Sequence, residues 1–131
     1  MSLPTHPTSR LCPCGLGEPY DDCCGRFHRG TEAPPSAELL MRARYSAYVV
    51  GDRDFLLRTW HDKTRPRLLT VEDGQHWKGL YILERTGGGL FDTEGTVEFK
   101  ARYEADGKPG VMHDTSRFVK ADGVWLYVDE V

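Results

Sequence analysis

The sequence has no cysteine outside residues 12–24, no long apolar run and no surplus of positive charge. Each absence closes off a class of protein. A membrane-spanning helix needs about 18 or more consecutive apolar residues. No stretch approaches that, so no membrane is expected as a partner. With 17 Lys and Arg against 20 Asp and Glu, the formal net charge is −3. That balance gives no electrostatic basis for general nucleic-acid binding, and none is expected. The opening MSLPTHPTSR lacks the apolar core of a secretory signal, so a cytoplasmic location is expected. There is no internal repeat and no low-complexity tract. TGGGL at 86–90 lacks the spacing of a phosphate-binding loop. What remains is a chain of 131 residues, 39% hydrophobic and 28% charged, suited to one soluble domain with a small appendage.

The 4 cysteines are crowded into CPCGLGEPYDDCC, as Cys12, Cys14, Cys23 and Cys24. Disulfides are disfavoured twice. Cytosolic thiols are kept reduced, and adjacent Cys23 and Cys24 would close only a strained small ring. The C-x-x-C spacing of a redox pair is absent. Four thiolates around one tetrahedral zinc ion would use every cysteine at once, and that reading is preferred. Pro13, Gly15 and Gly17 suit the tight turn it needs. The alternative is four buried or oxidisable thiols.

The pattern C-P-C-G-x-G, then an aromatic residue, then C-C, resembles the SEC-C motif, a zinc module named from the C-terminus of the translocation ATPase SecA. Cys12, Pro13, Cys14, Gly15, Gly17, Tyr20, Cys23 and Cys24 carry the resemblance. It implies structural zinc held by Cys12, Cys14, Cys23 and Cys24. Two features depart from the motif. Leu16 stands where serine is usual, and the charges between Cys14 and Cys23 are Glu18, Asp21 and Asp22. In SecA the module is basic and meets an acidic chaperone and anionic lipid; an acidic turn would repel both.

RGTEAPPSA at 29–37 reads as a linker. Ser36 is then a helix N-cap, and Ala37, Leu40, Met41, Tyr45, Tyr48 and Val49 recur at helical spacing. Gly51 ends that helix. Asp52 or Asp54 caps a shorter one, on which Phe55, Leu56, Thr59 and Trp60 share a face. Residues 62–75, broken by Pro66 and Gly74, predict a turn of helix plus loop. From Trp77 the period changes to two. WKGLYILER, GTVEFKARYE, GVMHDTSRFVK and VWLYVDEV predict four strands. Asp122-Gly123 predicts a two-residue hairpin pairing Ala121 with Val124 and Phe118 with Tyr127. Two helices followed by a meander give an α+β fold, a curved antiparallel sheet wrapped around a long helix.

MRARYSAYVVGDRDFLLRTWH, WKGLYILE, GTVEFKARY and HDTSRFVKADGVWLYVDE, in this order behind a SEC-C motif, resemble the bacterial YchJ family. The resemblance implies a cone-shaped nuclear transport factor 2-like (cystatin-like) domain at 36–131, with the zinc knuckle at 10–30. It implies an architecture and carries no chemistry with it.

The expectation is therefore a zinc-binding protein whose cone-shaped domain binds a ligand or a partner. A small-molecule lyase, isomerase or hydrolase, with Glu98 or His113 as base and Arg117 as anion clamp, is the alternative enzyme reading. A third is an adaptor recruiting a protein through an apolar patch beside Tyr20 and Phe27. A second copy of the chain is a further candidate partner. The alternation Val111, His113, Thr115, Arg117, Val119 suggests a half-polar cavity wall. Trp60 and His61 would then close the cavity mouth, and Tyr45, Tyr48, Trp77, Trp125 and Tyr127 would be core or wall. Against this, Glu98 has a plain reading as one half of a cross-strand ion pair, and His61 as a helix-end residue bonded to backbone.

Overall fold

The computed structural model describes residues 10–69 and 75–131. A single 3₁₀ turn, Tyr20–Asp22, leads into a short helix α1 (Cys24–His28). The long helix α2 (Ala37–Val50) starts where the sequence places it, with the Ser36 hydroxyl accepting from Leu39 N–H at 3.1 Å. Gly51, at φ 80°, ends it in the left-handed conformation. Asp52 caps α3 (Arg53–Arg58) by accepting from Phe55 N–H at 3.0 Å. Residues 61–69 form turns and irregular chain. The rest of the predicted 62–75 loop, residues 70–74, lies outside the described residues.

The four strands are β1 (Gln75–Gly87), β2 (Glu94–Ala105), β3 (Lys108–Ala121) and β4 (Val124–Glu130). They pair antiparallel in sequence order. The Asp122-Gly123 hairpin has the predicted register, Ala121 opposite Val124 and Phe118 opposite Tyr127. The sheet curls over α2, and Val97, Phe99, Ala101, Phe118 and Trp125 point from it into the core against Leu40, Met41 and Tyr45. Burying the larger of these side chains contributes about 1.5–3 kcal/mol each.

Register shifts at Trp77/Gly79, Ile82/Glu84 and Arg117/Phe118 mark β-bulges. An extra residue on one strand bends it and resets its alternation. One contact that no periodicity announces closes the cone. Thr59 and His61 straddle Trp60 and bond to both sides of Tyr127, with Tyr127 N–H donating to Thr59 O and His61 N–H to Tyr127 O, each at 2.8 Å. The chain leaving α3 thereby becomes a short extra partner for β4.

Among the described residues, no helix is long and apolar enough to cross a membrane.

Candidate functional site

Two constellations stand on opposite sides of α2. The first is the cysteine turn. Gly15 and Gly17, at φ 87° and 88°, take a conformation that side chains disfavour, and so fold the chain back within a few residues. Cys12 N–H then donates to Glu18 O at 2.7 Å, and Tyr20 N–H to Arg10 O at 2.7 Å. The result brings all four sulfurs within 4.8 Å of one another, every cysteine buried. Cys14 and Cys23 sulfurs are 3.6 Å apart. A tetrahedron with metal–sulfur bonds of about 2.3 Å has edges near 3.8 Å, so the cluster can hold a metal ion with little rearrangement.

Electrostatics explains why a cation suits the place. Without one, burial and then the charge of Cys14 push the Cys23 thiol up to about 12. Hydrogen bonding with Cys12 and Cys14, followed by burial, raises Cys24. Cys12 is held low, chiefly by hydrogen bonds from Cys14 and Cys24. Four thiolates in one buried space require a positive centre among them.

Side chains fasten this turn to the rest of the molecule. His28 stands on Phe55 with ring centroids 4.6 Å apart. It donates from Nε2 to Ala43 O at 2.8 Å, which leaves Nδ1 to accept from the Tyr20 hydroxyl. Burial holds its pKa below the usual value, so the neutral ring is the resting form. Arg42 donates to Cys14 O at 2.7 Å, Arg58 to Phe27 O at 2.9 Å, and Cys12 Sγ lies 3.5 Å from Ser46 Oγ.

The second constellation is a cavity of about 390 Å³ between α2, the end of α3 and the concave face of the sheet. Met41, Tyr45, Tyr48, Trp77, Phe99, Ala101 and Met112 make its apolar part. Arg44, Trp60, Asp114, Ser116, Tyr127 and Glu130 make its polar end. Arg44 is only 4% exposed. Its Nη1 donates to Leu56 O and Thr59 Oγ1, both at 2.8 Å, and its guanidinium lies over the Tyr127 and Trp60 rings at 4.4 and 4.8 Å. Among the described residues it forms no ion pair, and Nε and Nη2 have no protein acceptor. Burial lowers its pKa to about 10, which leaves it charged at neutral pH.

Glu130 accepts from Ser116 Oγ at 3.0 Å and from the Tyr127 hydroxyl at 2.8 Å. The residue as a whole is exposed at the rim, but its carboxylate turns inward, and desolvation raises its pKa. Trp60 Nε1 is buried without a hydrogen-bond partner.

The cavity corrects the sequence reading of the sheet faces. His113 and Arg117 lie on the opposite, convex face, with side chains 48% and 53% exposed. There His113 bonds Glu98 at 2.7 Å, and Arg117 makes two 2.7 Å bonds to Asp129. This is a solvated face laced by cross-strand polar pairs, and none of Glu98, His113 and Arg117 reaches the cavity. Glu98 is paired as its plain reading anticipates, although with a histidine diagonal to it instead of a Lys or Arg. Trp60 lines the cavity; its neighbour His61 does not, and its Nδ1 instead accepts from Lys63 N–H at 3.1 Å.

Phe27 is buried and Tyr20 half-buried, so neither is itself part of an exposed apolar patch. Leu11, Val49 and Val50 are exposed instead, along a shallow groove that Tyr20 borders.

Sequence reasoning missed Arg44 and Glu130. Arg44 had a signal: it sits three residues after Met41 and four before Tyr48, a charge inside the apolar stripe. Glu130 had none, because a bulge decides its direction.

A curled antiparallel sheet over one long helix, with a lateral cavity and an N-terminal four-cysteine turn, defines an α+β domain of the nuclear transport factor 2-like class carrying a SEC-C motif. The model of the family described as YchJ, middle NTF2-like domain, matches residues 36–130, and the chain belongs to that family. A UPF0225 protein of Streptomyces coelicolor is 51% identical over 127 residues, 97% of this chain and 96% of the relative. One from Cupriavidus pinatubonensis is 47% identical, covering 96% and 91% of the two chains. Among solved structures, a SEC-C motif containing protein from Rhodopseudomonas palustris superposes with a TM-score of 0.81 at 33% identity, over 93% of this chain and 98% of that one. Another, from Psychrobacter arcticus, gives 0.75 at 27% identity, over 92% and 81%.

Proposed function

We propose that the protein holds one structural zinc ion in its N-terminal turn and binds a small molecule in the cavity beside α2. The observation that carries the binding reading is Arg44: a buried, charged side chain with free donors facing a cavity, for which the protein supplies no counter-charge in contact. Zinc is supported by the four-sulfur donor set, which also closes the coordination sphere and leaves no position for a reacting water. In this reading the metal folds the turn, since about 20 residues cannot build a core of their own.

Metal analysis of protein purified under reducing conditions without chelator should return about one zinc per chain, and Cys14→Ser should lose most of it. Less than about a tenth of an equivalent in the wild type would remove the zinc reading. For the cavity, NMR titration with a panel of small aromatic compounds should shift the Trp60 Nε1–H resonance. A panel that never moves it would defeat the binding reading.

Glu130 favours a second reading, an acid–base enzyme. A carboxyl whose pKa is raised by desolvation at a cavity rim is suited to moving a proton. Turnover by the wild type, lost in Glu130→Gln with ligand affinity kept, would establish it. The adaptor reading would rest on the exposed Leu11, Val49 and Val50.

A further inference from the structure

The polar end of the cavity is asymmetric in a way that selects among ligands. On one side are donors without acceptors: Arg44 Nε and Nη2, and Trp60 Nε1. On the other are acceptors, the carboxylates of Asp114 and Glu130. No described side-chain hydrogen bond or ion pair uses the Asp114 carboxylate, and none joins Arg44 to either carboxylate. An orphaned indole N–H is not by itself decisive, since buried Trp125 has one too. That of Trp60, however, belongs to a cavity wall beside a second set of unused donors.

One positive group faces two acidic ones. A ligand carrying a carboxylate or phosphate would add a further negative charge to a site already rich in it, at low dielectric where repulsion is strong. A purely apolar ligand would leave the Arg44 donors unpaired and newly cut off from water, which costs free energy for each, and the Trp60 N–H as unpaired as before. A zwitterion would satisfy both sides but must shed the hydration of two full charges. A neutral group with an acceptor and a donor side by side meets all the demands at least desolvation cost.

Resting on the reading of the cavity as a binding site, we propose that its ligand is a net-neutral small molecule with an aromatic or apolar body and an amide-like polar end. The carbonyl accepts from Arg44 and Trp60, and the adjacent N–H donates to Glu130 or Asp114. The body lies among Tyr45, Tyr48, Trp77 and Met112.

Three probes of the same ring system test this by NMR titration of the full chain. They are 2-quinolone, a cyclic amide; quinoline, without the carbonyl and N–H; and quinoline-2-carboxylate, an anion. We expect 2-quinolone to bind tightest, with the carboxylate weaker by about tenfold or more, the scale of one lost charge-assisted hydrogen bond. Arg44→Met and Trp60→Phe should weaken 2-quinolone more than quinoline, whose ring nitrogen offers one acceptor and no donor, and so narrow the gap between the two affinities. A merely structural role would move both together. His113→Ala, on the convex face, should change nothing. Carboxylate binding as tight as or tighter than 2-quinolone would overturn the neutral-ligand proposal and leave the binding site standing. Failure of all three probes to shift the cavity resonances would overturn both. Should Arg44→Met not fold, Trp60→Phe and Glu130→Gln decide, and wild-type affinity for 2-quinolone in both sinks the proposal.

Discussion

Arg44 keeps its charge in the interior by satisfying part of its donor fork with backbone and hydroxyl oxygens and resting its flat face on two aromatic rings. Lysine has neither the fork nor the plane, so the site is specific to arginine. Glu130 sits at the other extreme, a carboxylate whose burial works against its ionised form. Its folded pKa lies above the ordinary 4.5. The fold therefore favours the protonated acid: its contribution to stability is fully present below 4.5 and lost as pH rises through the folded value. Glu130→Gln, which keeps one acceptor oxygen and no charge, should melt above the wild type at pH 7–8. That gap should narrow as the pH falls toward 4.5 and below. Thermal melts across this range check it, and a gap that widens on acidification would show that the carboxylate stabilises the fold.

The elements themselves were largely legible. Ser36, Asp52 and Gly51 announce helix ends through capping chemistry, and Asp122-Gly123 fixes a hairpin register, because these signals are local. The cavity wall was not legible, for two physical reasons. Alternation along β3 divides its residues into two faces but does not say which face is concave, and a polar alternation fits a pocket as well as a solvated sheet. The bulge opposite Arg117 then places Val128 between the Tyr127 and Asp129 pairings, so Asp129 turns outward to Arg117 and Glu130 turns in. Strict alternation would put Tyr127 and Asp129 on one face and leave Glu130 outside. The convex pairs are exposed and contribute little. His113→Ala and Arg117→Ala should leave the melting midpoint within error of the wild type and leave ligand binding intact. A marked loss of either would return these residues to the site.

At the scale of the whole molecule, the cysteine turn and the cone share one continuous set of buried side chains, in which Phe27, Ala43, Ala47 and Phe55 lie together with the cysteines. The division into 10–30 and 36–131 is therefore a proposal about folding, not a visible seam. Residues 36–131 hold all the described strands and the two longer described helices, enough for a core. Removing residues 1–30 should abolish metal binding and lower the melting temperature by baring Phe55, yet keep a cooperative transition. A broad, non-cooperative melt would make the turn part of the main core. The strands pair only with their neighbours in sequence, so the sheet can zip up hairpin by hairpin, while the two hydrogen bonds between Tyr127 and the residues flanking Trp60 join distant parts of the chain. Arg44, Trp60 and Tyr127 meet only when that long loop closes. If that closure follows the hairpins, as contact order favours, a chain caught before it would carry a complete sheet with the polar end of the cavity still unassembled.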